Sequence, residues 1–295
     1  GGLMSFRRPR STSLFARDGL AVVAEQQTGG RGRRGRSFVS PAGQGLYLSV
    51  LLRPRCPLEE VSALTAWTAV AVCNAVERVC GVRPGIKWPN DVILDGRKLC
   101  GILTELELEA ETAALRHVVV GVGINLTQTA ADFGPEVAPV AVSLAQALGR
   151  APRRAEMAAA VLAALDELYA AFPAERAAWL ERYRADCLTP GNRVQLITPA
   201  SRTEATALSI DDEFRLVVEY DDGRRELRCL QCGGIRAGMG RHRPVYGPDQ
   251  SLSVYDLYGR DRKRRLRRGA VPCERGHLRR LRQVQGLHKL HRAAA

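Results

Sequence analysis

Between Leu20 and Leu126 five short apolar runs share the chain with one segment of helical length, and that ratio decides the fold class. Leu20 to Glu25, Leu46 to Leu52, Gly85 to Leu94, Lys98 to Glu107 and Leu115 to Leu126 have strand length, with turn residues such as Asp95-Gly96 between them. From Pro57 to Cys80 apolar residues recur at Val61, Leu64, Trp67, Ala71, Cys73 and Val76, and Gly81 follows, which predicts a core-facing helix. Strands and helices therefore mix without strict βαβ alternation. An α+β fold, a mixed sheet backed by helices, is expected over a doubly wound one.

Farther on the texture changes twice. Arg154 to Asp186 is Ala- and Leu-rich and amphipathic with an interruption near Pro173, which predicts two consecutive helices. After Pro190-Gly191 come four short alternating runs, Asn192 to Ile197, Glu204 to Ile210, Phe214 to Tyr220 and Arg224 to Leu230. Asp211-Asp212 and Asp221-Asp222-Gly223 break them, the pattern of a small antiparallel barrel. Beyond Gly233 the periodicity fades.

A chain of 295 residues with a formal charge of +13 invites a nucleic-acid reading. The charge is confined, however: Gly259 to Ala295 holds thirteen Lys and Arg against two acids, leaving about +2 for all that precedes. After Tyr258 no aromatic residue interleaves with the basic ones, so specific nucleic-acid binding is not expected of that tail, which has the composition of a disordered segment. No apolar run approaches the ~18 residues that span a bilayer, and no apolar stretch follows Arg7, Arg8 and Arg10 before Asp18, so neither a membrane span nor a secretory signal is expected. The eight cysteines are scattered, as in reduced cytoplasmic thiols. Cys229 and Cys232 have metal-ligand spacing and could join Cys273 and His277 around zinc, but two incidental thiols explain them as well, and no metal centre is expected.

Three clusters could carry chemistry. Gly30-Arg31-Gly32-Arg33-Arg34-Gly35-Arg36 satisfies the dinucleotide fingerprint formally, yet a strand and not a helix follows it, so no helix dipole could meet a pyrophosphate. What remains is a glycine-flexed loop of guanidinium groups able to fold over a polyanion, or else a solvated basic turn. Lys87-Trp88-Pro89-Asn90-Asp91 sets opposite charges around a rigid aromatic anchor, and Lys98 enters an apolar strand, either to meet an anion or to snorkel. Gly121-Val122-Gly123-Ile124-Asn125 ends a buried strand in two glycines and an amide, where something passes close to the backbone or the chain turns tightly.

Together, EQQTGGRGRRGR (Glu25 to Arg36), KWPNDVILDGRKLCGILTE (Lys87 to Glu105) and VGVGINL (Val120 to Leu126), in this order and spacing, closely resemble the biotin protein ligase family. The resemblance runs from about Ser11 to Leu230 and implies a class II aminoacyl-tRNA synthetase-like and lipoyl-ligase-like sheet followed by a small Src-homology-3-like barrel. It implies a biotin- and ATP-binding catalytic domain over 1–186, the barrel over 187–236, and a basic, disordered or aberrant tail over 237–295. It implies two steps: biotin and ATP, with Mg²⁺, give biotinyl-5′-AMP, and a lysine of the biotin carboxyl carrier protein of acetyl-CoA carboxylase then takes the biotin, in the cytoplasm.

By the same resemblance Lys98 and Arg33 are catalytic. Ser11, Thr12, Gln27, Gly30, Arg31, Arg33, Lys98, Gly101 and Ile102 bind biotin. Arg31, Arg33, Arg36, Phe38, Asn90, Asp91, Gly123 and Asn125 bind the nucleotide, with Phe38 where the family has an aromatic under adenine. Ser11-Thr12-Ser13 stands where the family has Ser-Thr-Asn, and only Leu14 to Gly19 intervenes before the strand ending in Glu25. Ahead of Ser11 there is no room for a winged helix, so the single-function class is implied. After Leu230 the chain reads Gln-Cys-Gly-Gly-Ile-Arg in place of the family's Gly-Glu-hydrophobic-Ser-hydrophobic-Arg strand. A lipoyl or other acyl ligase, an inactive relative and a nucleic-acid-binding protein are the alternatives.

Overall fold

Leu46, Leu48 and Val50 in one strand and Val118, Val120, Val122 and Ile124 in its neighbour alternate along the chain, which gives the central sheet one apolar face and leaves Tyr47, Ser49, Gly121 and Gly123 on the other, open face. The computed structural model describes residues 18–109, 111–112, 114–197, 201–229 and 234–237, all within one compact unit, Gly1–Tyr258. Six strands form the first sheet: β1 (Leu20–Ala24), β2 (Gly45–Leu52), β3 (Gly85–Lys87), β4 (Asp91–Leu94), β5 (Arg97–Leu108) and β6 (Leu115–Asn125). Their order is β1-β2-β6-β5-β4-β3, with every neighbouring pair antiparallel and parallel pairing confined to isolated bridges such as Lys98 to Ala141.

Leu46, Leu48 and Val50 of β2, Ile102 of β5 and Val118, Val120, Val122 and Ile124 of β6 belong to one buried core. Packed in it are α2 (Leu64–Cys80), which follows the single turn α1 (Leu58–Val61), and the pair α5 (Arg154–Ala171) and α6 (Arg176–Asp186). The helix expected over Pro57 to Cys80 is thus two, and Gly81 closes the second in the left-handed conformation, φ 73°. Helices α5 and α6 part around Phe172-Pro173, as the interruption predicts. Two short helices escaped the periodicity: α3 (Ala130–Phe133) and α4 (Leu144–Leu148). Each has a capping box, Thr129 with Asp132 and Ser143 with Gln146, which was the signal that could have found it.

The run Gly85 to Leu94, expected as one strand, is the hairpin β3–β4 instead. Pro89 has no N–H to give a ladder, and the chain turns at Trp88 to Asn90. Trp88 is 2% exposed; its backbone N–H donates to Thr189 Oγ1 (2.9 Å) and its indole N–H to the Phe214 carbonyl (3.0 Å). Tyr183 Oη donates to the Pro89 carbonyl (3.2 Å) and packs edge-on against Phe214.

Those bonds tie the hairpin to a second sheet of β7 (Arg193–Ile197), β8 (Arg202–Ile210), β9 (Leu216–Glu219), β10 (Arg225–Arg228) and β11 (Gly234–Ala237). Its order is β10-β9-β8-β7-β11, antiparallel throughout, around Val194, Leu196, Ala205, Ala207, Phe214, Leu216 and Val218. Strand β11 lies beyond Gly233, where the apolar period fades, within one residue of the end expected for the barrel. It has one large apolar residue in four, too little for a period to register, and takes its place by pairing with β7.

Cys56, Cys73, Cys80, Cys100 and Cys187 are free thiols. Cys229 is not: it is disulfide-bonded, which corrects the expectation of reduced thiols throughout, and its partner lies outside the described residues. Cys232, Cys273, His277 and the basic tail lie outside them too. Among the described residues no helix is long and apolar enough to cross a membrane.

Candidate functional site

The open face of the first sheet has a floor without side chains at its middle. Across the strands the register aligns Tyr47 of β2, Gly123 of β6, Gly101 of β5 and Asp91 of β4 in one row. Two glycines side by side make a trough between a tyrosine and a carboxylate. Into it lies the Phe38 ring: a Cβ on Gly123 would come within 2.7 Å of that ring, and one on Gly101 within 3.4 Å of it and 3.1 Å of Lys98 Nζ. Gly123→Ala should therefore push Phe38 out of the trough at a cost of about 1 kcal/mol, the low end for overpacking. A crystal structure of the variant and urea unfolding check this; a Phe38 ring left in place would contradict it.

Phe38 arrives on the long connection between β1 and β2, whose base is tied shut. The Glu25 carbonyl accepts from Gly43 N–H (3.1 Å), the Ser40 carbonyl from Gln27 N–H (3.2 Å), and Ser40 Oγ donates to Gln27 Oε1 (2.8 Å). Gly30 must be glycine here, because a Cβ would sit 2.4 Å from the Phe38 carbonyl oxygen. Contacts with the sheet hold the arginine tip. Arg33 Nη1 donates to Asn90 Oδ1 (3.1 Å), and Arg31 Nη2 meets Glu105 Oε2 (2.9 Å). Burial lowers the Arg33 pKa and the nearby Asp91 charge raises it; the guanidinium stays a cation. Arg36 is exposed on the same loop.

On the far side of the trough Lys98 Nζ lies 2.8 Å from Asp91 Oδ1, with both side chains partly buried. The lysine backbone is fixed from both directions: Lys98 N–H donates to Val140 O (2.7 Å), and Val142 N–H donates to Lys98 O (3.0 Å). Asn90 grips β5 in the same way, giving Nδ2 to Ile102 O (2.8 Å) and accepting Ile102 N–H at its own carbonyl (3.1 Å).

Arg33, Phe38, Asn90, Asp91, Lys98, Gly101 and Gly123 thus come together around the trough. Gln27 and Gly30 stand at the neck of the loop, and Arg31 is held farther along β5. The Ile102 side chain faces the core, and both its backbone groups face Asn90. Asn125 is buried inside the wall, with Nδ2 donating to Lys98 O (3.3 Å) and Val142 O (3.1 Å), so its amide braces the lysine strand. Ser11 and Thr12 lie outside the described residues.

Sequence reasoning missed Tyr47 and Glu105. Tyr47 Oη donates to the Pro41 carbonyl (2.9 Å), and burial pushes its pKa up to about 12. Glu105 follows Gly101 at twice the strand period, which puts it on the open face; that spacing was the available signal. Among the described residues no group of three or more His, Cys, Asp or Glu side chains could hold a metal ion.

The profile of the Biotin/lipoate A/B protein ligase family matches residues 10–125. The chain is 37% identical over 217 residues to the bifunctional ligase/repressor BirA of Bacillus subtilis (strain 168), covering 72% of this chain and 65% of that protein. It is 36% identical over 207 residues to the biotin--[acetyl-CoA-carboxylase] ligase of Mycobacterium tuberculosis, covering 68% of this chain and 74% of the relative. A solved structure of biotin protein ligase from Aquifex aeolicus in complex with biotin and ATP superposes with a TM-score of 0.64 at 26% identity, over 76% of this chain and 91% of that one. The chain spans just under two thirds, 65%, of the length of the first curated relatives it matches.

Proposed function

Because the chain belongs to the biotin protein ligase family, we propose that it activates biotin with ATP and transfers it to a lysine of a carboxylase carrier domain. The observation that supports this most is the convergence at the glycine floor. One fixed lysine with its carboxylate, one loop arginine and one aromatic ring surround a trough with no side chains of its own.

In the first step a biotin carboxylate oxygen bonds to the α-phosphorus of ATP and the bond to pyrophosphate breaks, leaving biotinyl-5′-AMP. Two anions must meet, so the site has to supply fixed positive charge and exclude water. Lys98, aimed by Asp91, faces the negative charge that builds at the α-phosphate. Arg33 closes the other side, and Phe38 offers its ring to the adenine. Arg31, Arg36, Asn90, Gly123 and Asn125 complete the nucleotide side, Asn125 by bracing the strand that carries Lys98. Ser11, Thr12, Gln27 and Gly30 take the biotin ring, with Gly101 and Ile102 beside it. In the second step the carrier amine attacks the acyl carbonyl, loses a proton and expels AMP as the amide forms.

The magnesium ion that accompanies ATP would be held by Asp91, the carboxylate beside the trough. One carboxylate with the substrate phosphates suits a Mg²⁺ that keeps most of its other ligands as water. When bound, the ion neutralises phosphate charge. We assign this chemistry to 1–186 and the small barrel to 187–236, and place the reaction in the cytoplasm. The partner is the biotin carboxyl carrier domain of acetyl-CoA carboxylase.

Arg33→Gly removes the bond to Asn90 and loosens the loop over the adenylate. Adenylate should then escape and label unrelated lysines severalfold more than the wild type does, read by streptavidin blotting of a bystander protein. No rise would remove loop closure from the mechanism. The reading as a whole is tested by biotin-dependent exchange between ATP and labelled pyrophosphate.

A further inference from the structure

Glu105 is the acidic partner of the loop that the proposed chemistry leaves without a task. It stands on the open face of β5 four residues beyond Gly101, roughly 13 Å along the strand at about 3.3 Å per residue. Asp91, which carries Lys98, pairs with Gly101, and Asn90, which carries Arg33, bonds Ile102. The arginine loop is therefore laid lengthwise along β5, with Arg33 held near the lysine and Arg31 held at the far end by Glu105. For Arg31 to meet an anion bound beside Lys98, it would have to leave Glu105.

We propose that Glu105 is a positioning residue that parks Arg31 outside the trough and releases it to the incoming phosphate; this rests on the reading of the loop as a substrate clamp. The Arg31 and Glu105 side chains are 60% and 47% exposed, so the pair is a weak solvent-screened one. Weakness is what the exchange requires. A guanidinium on a phosphate makes stronger, bidentate bonds and wins over the carboxylate once substrate arrives. Without substrate, Glu105 keeps closely spaced arginines from repelling the loop off the sheet.

The loop carries its own reporter, since trypsin cuts after arginine. In the full chain without ligands, Glu105→Gln should raise cleavage within Arg31 to Arg36 about threefold to fivefold, the range a surface ion pair supports. Raising the salt concentration should speed cleavage of the wild type toward that of the variant and leave the variant unchanged. Exchanging the charges, Arg31→Glu with Glu105→Arg, should restore protection at Arg33 to Arg36, which a merely structural glutamate would not allow. Equal cleavage of wild type and Glu105→Gln, or no recovery in the exchanged pair, would overturn the proposal. Adding biotin and ATP separates the two claims: protection by both substrates supports the clamp whichever way the variants behave, and failure to protect overturns the clamp and with it the release of Arg31, even where the variants show the parking contact.

Discussion

Lys98→Ala is expected to slow formation of biotinyl-5′-AMP by about a hundredfold or more, roughly 3 kcal/mol of transition-state stabilisation. The size follows from the setting. Nζ is partly buried and 2.8 Å from Asp91, so the charge is already oriented before substrate arrives. The lysine backbone is held by Val140 and Val142 irrespective of the side chain, so truncation should leave the strand where it is. Loss should appear in the single-turnover rate at saturating biotin and ATP, measured by rapid quench, and not in the far-ultraviolet circular dichroism. A rate within about twofold of wild type would take this lysine out of the chemistry, because a cation facing developing phosphate charge cannot be dispensable.

The other large effect is expected from Trp88→Ala, which should cost about 4 kcal/mol, within the range for a buried aromatic cut to alanine. For a body of this size that corresponds to a fall in Tm of about 8–16 °C. Trp88 is where three parts of the molecule meet: the β3–β4 hairpin, the Thr189 entry to the second sheet, and the Phe214 carbonyl within it. Trp88→Phe keeps most of the volume but strands that carbonyl, so it should cost about 1–3 kcal/mol. Asn90 and Asp91 are the next hairpin residues but one and two, so adenylation should weaken in Trp88→Ala even well below its melting temperature. Calorimetry on the three proteins checks the order. Equal melting of wild type and Trp88→Ala would mean that the seam does not hold the hairpin.

What was legible beforehand was what a period or a local steric rule can encode. The valines of β6 mark a buried strand, and the interleaved Gly121 and Gly123 mark either a close approach to the backbone or a tight turn, of which the structure shows the first at Gly123. That the approaching group is Phe38 was not legible as a contact, because it depends on the order β2-β6-β5-β4, which brings a loop from before β2 over strands that come much later. The same topology hid Glu105. A glutamate on an alternating strand reads as a solvated residue until Arg31 is laid beside it. The turn inside Gly85 to Leu94 was written in Pro89 and overlooked, since the flanking residues are apolar enough to pass for one strand. Strand β11 carries too few apolar residues to announce itself and exists through its partner. For Asn125 the resemblance implied a place on the nucleotide side; that its amide also hydrogen-bonds two backbone carbonyls within the wall depends on the fold and could not be read beforehand.

The central claim is that the trough over Gly101 and Gly123 joins biotin to AMP. Biotin-dependent ATP–pyrophosphate exchange on the purified full chain tests it directly, with lipoate in a parallel reaction and Lys98→Ala as the control. The account predicts exchange that requires biotin, fails with lipoate and falls about a hundredfold in the variant. Exchange supported by lipoate and not by biotin, or none with either from a folded and monodisperse sample, would contradict it.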